Sequence, residues 1–581
     1  MSQARLRRGR AAGAQLLHAG RRRAAHARAR DRADHRGGRR ATPPAHRQRL
    51  PRRRRQHPPD PALRRARSGR GDTGARCGAG DPGGLRGARR QSHRRARDRR
   101  REDRRDAAPL RSRRPARHDE AARRLRPRGA RQSAQDLSRR QGLRGDARAP
   151  PAGGGVTDWG ALVGPAWAAP GRADDAVDGV VPTSVVRPAG IEQLQAVVRA
   201  AAGDRRALVP SGRGAHLDVG APPARLDVLV RLDRLARVVD HQAADMTVTV
   251  ETGCSLACLA STLAAAGQWL PLDPPRPEET TVGGLIAADL SGPLRASQGT
   301  VRDLLIGLRV VGADGAVVRG GGRVVKNVAG YDLPKLHVGA LGTVGVIVEA
   351  TFKVRPRPAA EEAVVVACRS ARDAADLALA VRDSDAAPLW LEVTGAGGLV
   401  DGLADGPGEG AAVVVGLGGI AEEIAEARAC VQRIAESGRL RAVAVSGGAA
   451  LRARLAAFPI EPAAAVLKAA TLPAEVGDVM ERIAAAARER GTAARCLAHA
   501  SSGVIRAAIT EPAAVAPLVH ALRPTLERAG GSLTIERAAP AVKRSVEVWG
   551  NPGPGLALMR SVKAAFDPSG VFAPGRYVAG L

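Results

Sequence analysis

The chain has 581 residues and a formal charge of +35, which on their face call for several domains and a nucleic-acid or anionic-membrane partner. The charge is confined to one end: residues 1–155 hold 48 Arg, no Lys and 13 acidic residues, while residues 156–581 hold 44 basic and 44 acidic residues. The bulk of the chain is therefore neutral, and composition excludes a basic nucleic-acid-binding core.

Residues 1–155 contain no Val, Ile, Phe, Tyr, Trp or Asn, and their Leu residues follow neither helical nor strand periodicity. Such a segment buries too little apolar surface to offset the entropy of ordering it, so a disordered arm is expected. Three readings compete for it. A nucleic-acid tail normally mixes Lys with Arg and adds stacking aromatics; a transit peptide has few acids, and a secretory signal needs an apolar stretch. GC-rich DNA translated out of frame yields Arg, Ala, Gly and Pro, which fits best and puts the true start near Val156.

Cys254 and Cys258 are spaced C-x3-C, and Cys77, Cys368, Cys430 and Cys496 stand alone, so neither a zinc nor an iron–sulfur ligand run is present. The close pair reads as small apolar residues packed on an Ala/Leu helix. No apolar run is long enough to span a bilayer. A reduced, cytoplasmic protein is expected, at most peripheral to the inner face of a membrane.

In chain order, Val180 to Arg187 reads as a strand and Ile191 to Ala202 as a helix. Ala207 to Pro210 is a strand that delivers the chain into Ser211-Gly212-Arg213-Gly214-Ala215-His216. Glycines at 212 and 214 allow positive φ and open backbone N–H groups to an anion such as a dinucleotide pyrophosphate; an ordinary tight turn is the bland alternative. Strands follow at Leu226 to Arg231 and Met246 to Glu251, then a helix from Ser255 to Ala266 closed by Gly267.

Residues 279–355 are the densest part of the chain in strands, turn glycines and fixed polar groups. They carry Thr281-Val282-Gly283-Gly284 before a short helix, then Ser291-Gly292 and Gly299-Thr300-Val301-Arg302-Asp303 opening a strand from Leu304 to Val311. Ala313-Asp314-Gly315 is a hairpin signal. Lys326-Asn327-Val328-Ala329-Gly330-Tyr331-Asp332 and Gly342-Thr343-Val344-Gly345-Val346-Ile347 complete the series.

These motifs, in this order, resemble the FAD-binding domain of the vanillyl-alcohol oxidase and p-cresol methylhydroxylase superfamily. Within it, SGP, VKNVAGYDL and GALGTVG are most similar to the family of FAD-binding, E-type subunits of bacterial glycolate oxidase. The resemblance implies an α+β fold: a two-subdomain FAD-binding domain of the p-cresol methylhydroxylase type over 156–357, a smaller α/β cap over 358–545, and a C-terminal segment, 546–581, returning to the FAD domain. It implies FAD as cofactor. Backbone N–H groups of Ser211 to Ala215 and of Gly283 and Gly284 would hold the pyrophosphate, with Thr281 bonding nearby. Ser291, Gly292 and Gly299 to Asp303 would line the ribityl and adenosine parts; Asn327, Gly330 and Asp332 would sit by the flavin, and Val346 and Ile347 by the adenine.

Two further phrases carry the resemblance. His499-Ala-Ser-Ser-Gly-Val-Ile-Arg506 is a degenerate form of the HAGDGNLH motif of the catalytic, D-type subunit: the first histidine stands, and Arg506 replaces the second. This removes a metal or general-base group and leaves Arg506 either structural or paired with a substrate carboxylate. The tail FDPSGVFAPGR resembles the segment that folds back on the flavin domain, with Ala573 where Asn is usual. Permitted codons for Gln132 to Ala147, shifted by one base, also spell a string like the C-terminal tail of the D-type subunit.

The function implied is that of an FAD-binding subunit supporting oxidation of glycolate, a small 2-hydroxy acid, to glyoxylate, partnered by a D-type flavoprotein subunit and an iron–sulfur subunit and not by nucleic acid. The alternatives are a self-sufficient FAD-dependent 2-hydroxy-acid dehydrogenase of the D-lactate type and, from another class, an arginine-armed nucleic-acid-binding protein.

Overall fold

The computed structural model describes residues 157–322, 331–396, 400 and 410–581. The arginine arm, Asn327 and Gly330 lie outside the described residues.

The first sheet contains β1 (Ala168–Pro170), β2 (Ser184–Val186), β3 (Leu208–Ser211) and β4 (Val228–Arg231) in the order β1-β2-β4-β3. β4 runs parallel to both β2 and β3, as the helix α1 (Ile191–Gly203) between β2 and β3 requires of a crossover. Leu194, Val197, Val198 and Ala201 form the buried stripe of α1, the spacing of one helical face. β2 is shorter than the run Val180 to Arg187 suggests.

The second sheet is antiparallel. It comprises β5 (Val238–Gln242), β6 (Thr247–Glu251), β8 (Leu305–Val311), β9 (Val317–Gly321) and β10 (Val346–Lys353), ordered β5-β6-β10-β8-β9. A two-stranded ribbon, β7 (Gln268–Trp269) with β11 (Arg355–Pro356), stands beside it. The expected hairpin joins β8 to β9, with Gly315 at φ +74°. Val301–Leu304 is a helical turn rather than the start of β8, because Thr300 and Asp303 form a capping box. Val346, Val348 and Val311 pack with Val186, Val228 and Leu194 in one core between the two sheets. Of the cysteine pair, Cys254 is buried just ahead of the helix α2 (Leu256–Ala264), whereas Cys258 is exposed; only one of them is packed.

From 360 to 538 the chain forms a single eight-stranded sheet: β12 (Ala360–Cys368), β13 (Trp390–Thr394), β14 (Ala411–Gly419), β15 (Ala442–Val445), β16 (Ala465–Ala470), β17 (Ala494–His499), β18 (Val504–Ile509) and β19 (Ser532–Ala538), ordered β15-β12-β14-β13-β17-β18-β16-β19. Every pairing is antiparallel. Four helices, Ala371–Arg382, Ala421–Ser437, Val476–Arg488 and Pro512–Arg528, bury their apolar stripes with Val364, Val366, Leu391, Val413 and Val415. The opposite face carries Val365, Trp390, Val414 and Leu497, packed with Leu294 of the first domain.

The C-terminal segment returns to β3. Leu208 N donates to Val571 O and Ala573 N to Leu208 O, each at 2.8 Å. Ala573 sits at φ +41°, in the left-handed region that Asn occupies more readily than Ala, which accounts for the usual Asn at this position.

Candidate functional site: a glycine-lined cleft and a buried charged cluster

Where β3 ends, the glycine loop opens one wall of a cleft lined by Ser211, Gly212, Gly214, His216, Thr281, Gly283, Gly284, Gly342, Gly345, Ile347 and Arg576. Gly214 takes φ +89°, and a Cβ on Gly212 would lie 2.1 Å from Thr281 Oγ1. The two glycine motifs can meet only with no side chain at 212. The amides of Arg213, Gly214, Ala215 and His216 donate to no backbone acceptor among the described residues, which leaves them for an anion.

Gly283 and Gly284 differ from expectation. Gly283 N donates to Thr252 O at 2.8 Å, and Gly284 N donates to Thr281 Oγ1 at 3.2 Å. Their N–H groups are spent inside the protein; the glycines line the cleft by allowing close approach.

The other predicted residues separate. Ser211 and Ile347 line the cleft; Arg213 and Ala215 border an adjoining polar recess with Arg231, Arg276 and Asp218. Val346 and Val301 are core residues. Gly292 packs on Asp273, whose O would be 2.3 Å from a Cβ there. Gly299 takes φ +86° ahead of the Thr300–Asp303 box, Arg302 donates to Lys335 O, and Asp332 pairs with Lys335 at the surface. Ser291 accepts from Arg295 Nη1 at 2.9 Å.

His216 closes one end of the cleft. Arg537 Nη2 lies 2.7 Å from its Nδ1, and its Nε2 lies 2.7 Å from Thr280 Oγ1. A guanidinium can only donate, so Nδ1 is the acceptor and Nε2 carries the proton. Burial, then the charge of Arg537, bring His216 down to about 3, which keeps it neutral.

The neighbouring residue on β19, Glu536, belongs to a second site on the inner face of the eight-stranded sheet. Arg506 (β18) donates to Glu536 through Nε at 2.7 Å and Nη2 at 3.1 Å, and through Nη1 to His499 Nε2 (β17) at 2.7 Å. His499 Nδ1 in turn lies 2.7 Å from Glu392 Oε1 (β13). The sheet register places Glu392 opposite His499 and Arg506 opposite Lys468 of β16. His499 and Arg506 are thus brought together, seven positions apart in sequence, by the β17–β18 hairpin.

The electrostatics follow from burial and from this geometry. Burial, then Arg506, Arg295 and Lys468, hold His499 well below its ordinary range. Burial raises Glu392 well above the usual carboxylate range, and its Oε2 has no partner among the described residues. Burial would also raise Glu536, but Arg506 and Lys468 overcome it and hold the carboxyl at about 2. Lys468 and Arg295 are both lowered, first by burial, and neither forms a salt bridge among the described residues. Arg295 and Lys468 thus present a cationic inner surface whose charge Asp289 and Glu536 offset only in part. An ion-pair network fastens the two domains beside it: Arg452 bonds Glu361 at 2.8 Å and Asp273 at 3.4 Å, and Asp273 accepts from Leu294 N at 3.2 Å.

Two domain families match the chain: residues 182–321 match the FAD binding domain and residues 357–577 the C-terminal domain of FAD linked oxidases. The chain thus carries an FAD binding domain followed by the C-terminal domain of FAD linked oxidases. It is 40% identical to the glycolate oxidase subunit GlcE of Escherichia coli over 164 residues, 28% of this chain and 46% of that protein. It is 25% identical to the glycolate oxidase subunit GlcD of Bacillus subtilis over 69% of this chain and 89% of that protein. A D-2-hydroxyglutarate dehydrogenase of Xanthomonas citri is 33% identical over 32% of the chain and 40% of that protein. The alignments with GlcE and with this dehydrogenase therefore span less than half the length of those relatives. Among solved structures, p-cresol methylhydroxylase superposes with a TM-score of 0.57 at 17% identity, over 73% of this chain and 97% of that one, which establishes the shared fold.

The cleft fits an FAD cofactor: free amides at 213–216 suit a diphosphate, and the buried Nη1 of Arg576 has no partner among the described residues. Sequence reasoning missed Arg576, Arg295, Glu392, Lys468 and Glu536. Arg576 closes the tail phrase FDPSGVFAPGR, which pointed only to a segment folding back, and the other four lie in no motif quoted above; tertiary packing brings them in. The one available signal was their charge, set within otherwise apolar strands such as AVLKAA and WLEVT.

Proposed function

We propose that this chain is the FAD-binding subunit of a glycolate oxidase complex, supporting oxidation of glycolate to glyoxylate with a D-type flavoprotein and an iron–sulfur partner. The observation that carries the reading is the capping of His499: its Nε2 accepts a hydrogen bond from Arg506, and its Nδ1–H faces Glu392, so the imidazole has no free lone pair to remove a substrate proton. FAD supplies hydride acceptance at the alcohol carbon when bound. The chain's own residues hold the cofactor and present the cationic face of Arg295 and Lys468, which suits a small carboxylate anion. The likenesses to GlcE and GlcD support the same assignment.

The self-sufficient 2-hydroxy-acid dehydrogenase rests on that same cationic face. A dye-reduction assay with glycolate or D-lactate separates the two. The flavin-loaded chain alone is expected to be inactive, with turnover appearing when D-type and iron–sulfur subunits are added. Turnover by the chain alone would establish the self-sufficient enzyme.

A further inference from the structure

We infer that Arg576, delivered by the C-terminal tail, is the cationic contact for the diphosphate of the dinucleotide. The guanidinium is 2% exposed as a residue and lines the glycine cleft. Its Nη2 is held by two carbonyls of the segment following the glycine loop, Leu217 O at 2.9 Å and Val219 O at 2.5 Å. Its Nη1 is buried and bonds to nothing among the described residues. Of the nearby carboxylates, Asp178 takes Lys543 at 2.9 Å through both oxygens and Asp218 takes Arg537 through Oδ2, its Oδ1 having no hydrogen-bond partner among the described residues; neither carboxylate bonds Arg576.

A buried guanidinium that no carboxylate bonds is costly, and an orphaned donor on a residue lining a cleft calls for an acceptor there. Of the residues lining the cleft, Arg576 alone has a formal charge, His216 being neutral. The dinucleotide's permanent negative charge resides on its diphosphate, and the free amides of the 213–216 loop surround the same space. A charge-assisted bond from Nη1 completes that cradle. Tail docking and cofactor binding then depend on one side chain, because Nη2 fixes the loop whose amides face the same anion.

The inference rests on FAD as the cofactor and not on the choice of substrate. Its test uses full-length flavin-free protein and three ligands: FAD, ADP (diphosphate without flavin) and riboflavin (flavin without phosphate). Arg576→Gln is expected to weaken FAD and ADP alike by about ten- to a hundredfold, leave riboflavin unchanged, and flatten the salt dependence of FAD affinity; Arg576→Lys should recover part of the loss. Unchanged ADP affinity in Arg576→Gln, or an equal loss for riboflavin, would overturn the assignment. Should that variant not fold, the wild-type protein still decides: ADP binding insensitive to salt overturns it.

Discussion

Arg506 shows how one substitution sets the chemistry of a site. A histidine at this position would leave two imidazoles converging near Glu536; the guanidinium instead donates to both His499 and Glu536, filling that space with a fixed positive charge. The pair is buried, so removing one partner strands the other. Arg506→Met should therefore destabilise the protein by about 3–5 kcal/mol, and Arg506→Met combined with Glu536→Gln should recover a large part. A double-mutant cycle from chemical denaturation measures this, and additive losses would show that the two residues are not coupled. The phrase from His499 to Arg506 was legible as a motif with an exchanged residue. Its consequence was not, because Glu392 and Glu536, the residues that answer to the exchange, lie 107 and 30 positions away.

At the scale of elements, the inner face of the eight-stranded sheet is shaped by a large side chain over a glycine. Trp390 is fully buried, donates Nε1–H to Glu361 at 2.8 Å, and lies so close to Gly416 on β14 that a Cβ there would fall 1.9 Å from the ring. Gly416→Ala should cost about 1–3 kcal/mol by overpacking and loosen the Glu361–Arg452–Asp273 fastening between the domains. Thermal melting with tryptophan fluorescence reads both effects; an unchanged melting temperature would mean that the sheet yields freely at this point. The elements themselves were largely readable: the helix expected from Ile191 to Ala202 spans Ile191–Gly203, and the hairpin at Asp314-Gly315 forms. The cap's antiparallel pairing was not readable, since a helix between two strands permits either a crossover to a parallel neighbour or a return from the far edge, and only the pairing partners decide.

Across the whole molecule, three buried neutral histidines govern the response to acid. His216 is held at about 3 by burial and Arg537, His337 at about 4 by burial, and His499 well below the ordinary range. Below an ordinary histidine pKa of about 6.5, the unfolded chain binds protons that these folded sites refuse, so each contributes a loss of about 1.4 kcal/mol per pH unit as pH falls. Asp273, raised to about 6 by burial, and Glu392, raised further, act in the opposite sense over this interval, because they keep protons that the unfolded chain has released. The two groups of sites therefore partly cancel between pH 6 and 5, leaving a gentle decline. Below about pH 4 the two carboxyls are protonated in both states and drop out, as does His337 once its folded imidazole takes a proton, while Glu536, held at about 2, joins His216 and His499. Melting temperature should fall slightly from pH 6 to 5 and steeply below 4; a steady rise over the same range would contradict neutral buried histidines.

By itself the sequence determined where the neutral protein begins to carry patterned strands and helices, that its glycine motifs suit a dinucleotide, and which family those motifs resemble. These are local properties: periodicity, turn chemistry and motif order are written in consecutive residues. Only the tertiary structure decided that the amides of Gly283 and Gly284 are spent on Thr252 and Thr281, that Arg576 reaches the cleft from the far end of the chain, and that Arg295 and Lys468 face the inner surface with no salt bridge among the described residues. Each depends on which groups meet across long stretches of sequence. Burial then changes what those groups do, because a charge or donor out of water must find its partner in the fold or in the ligand.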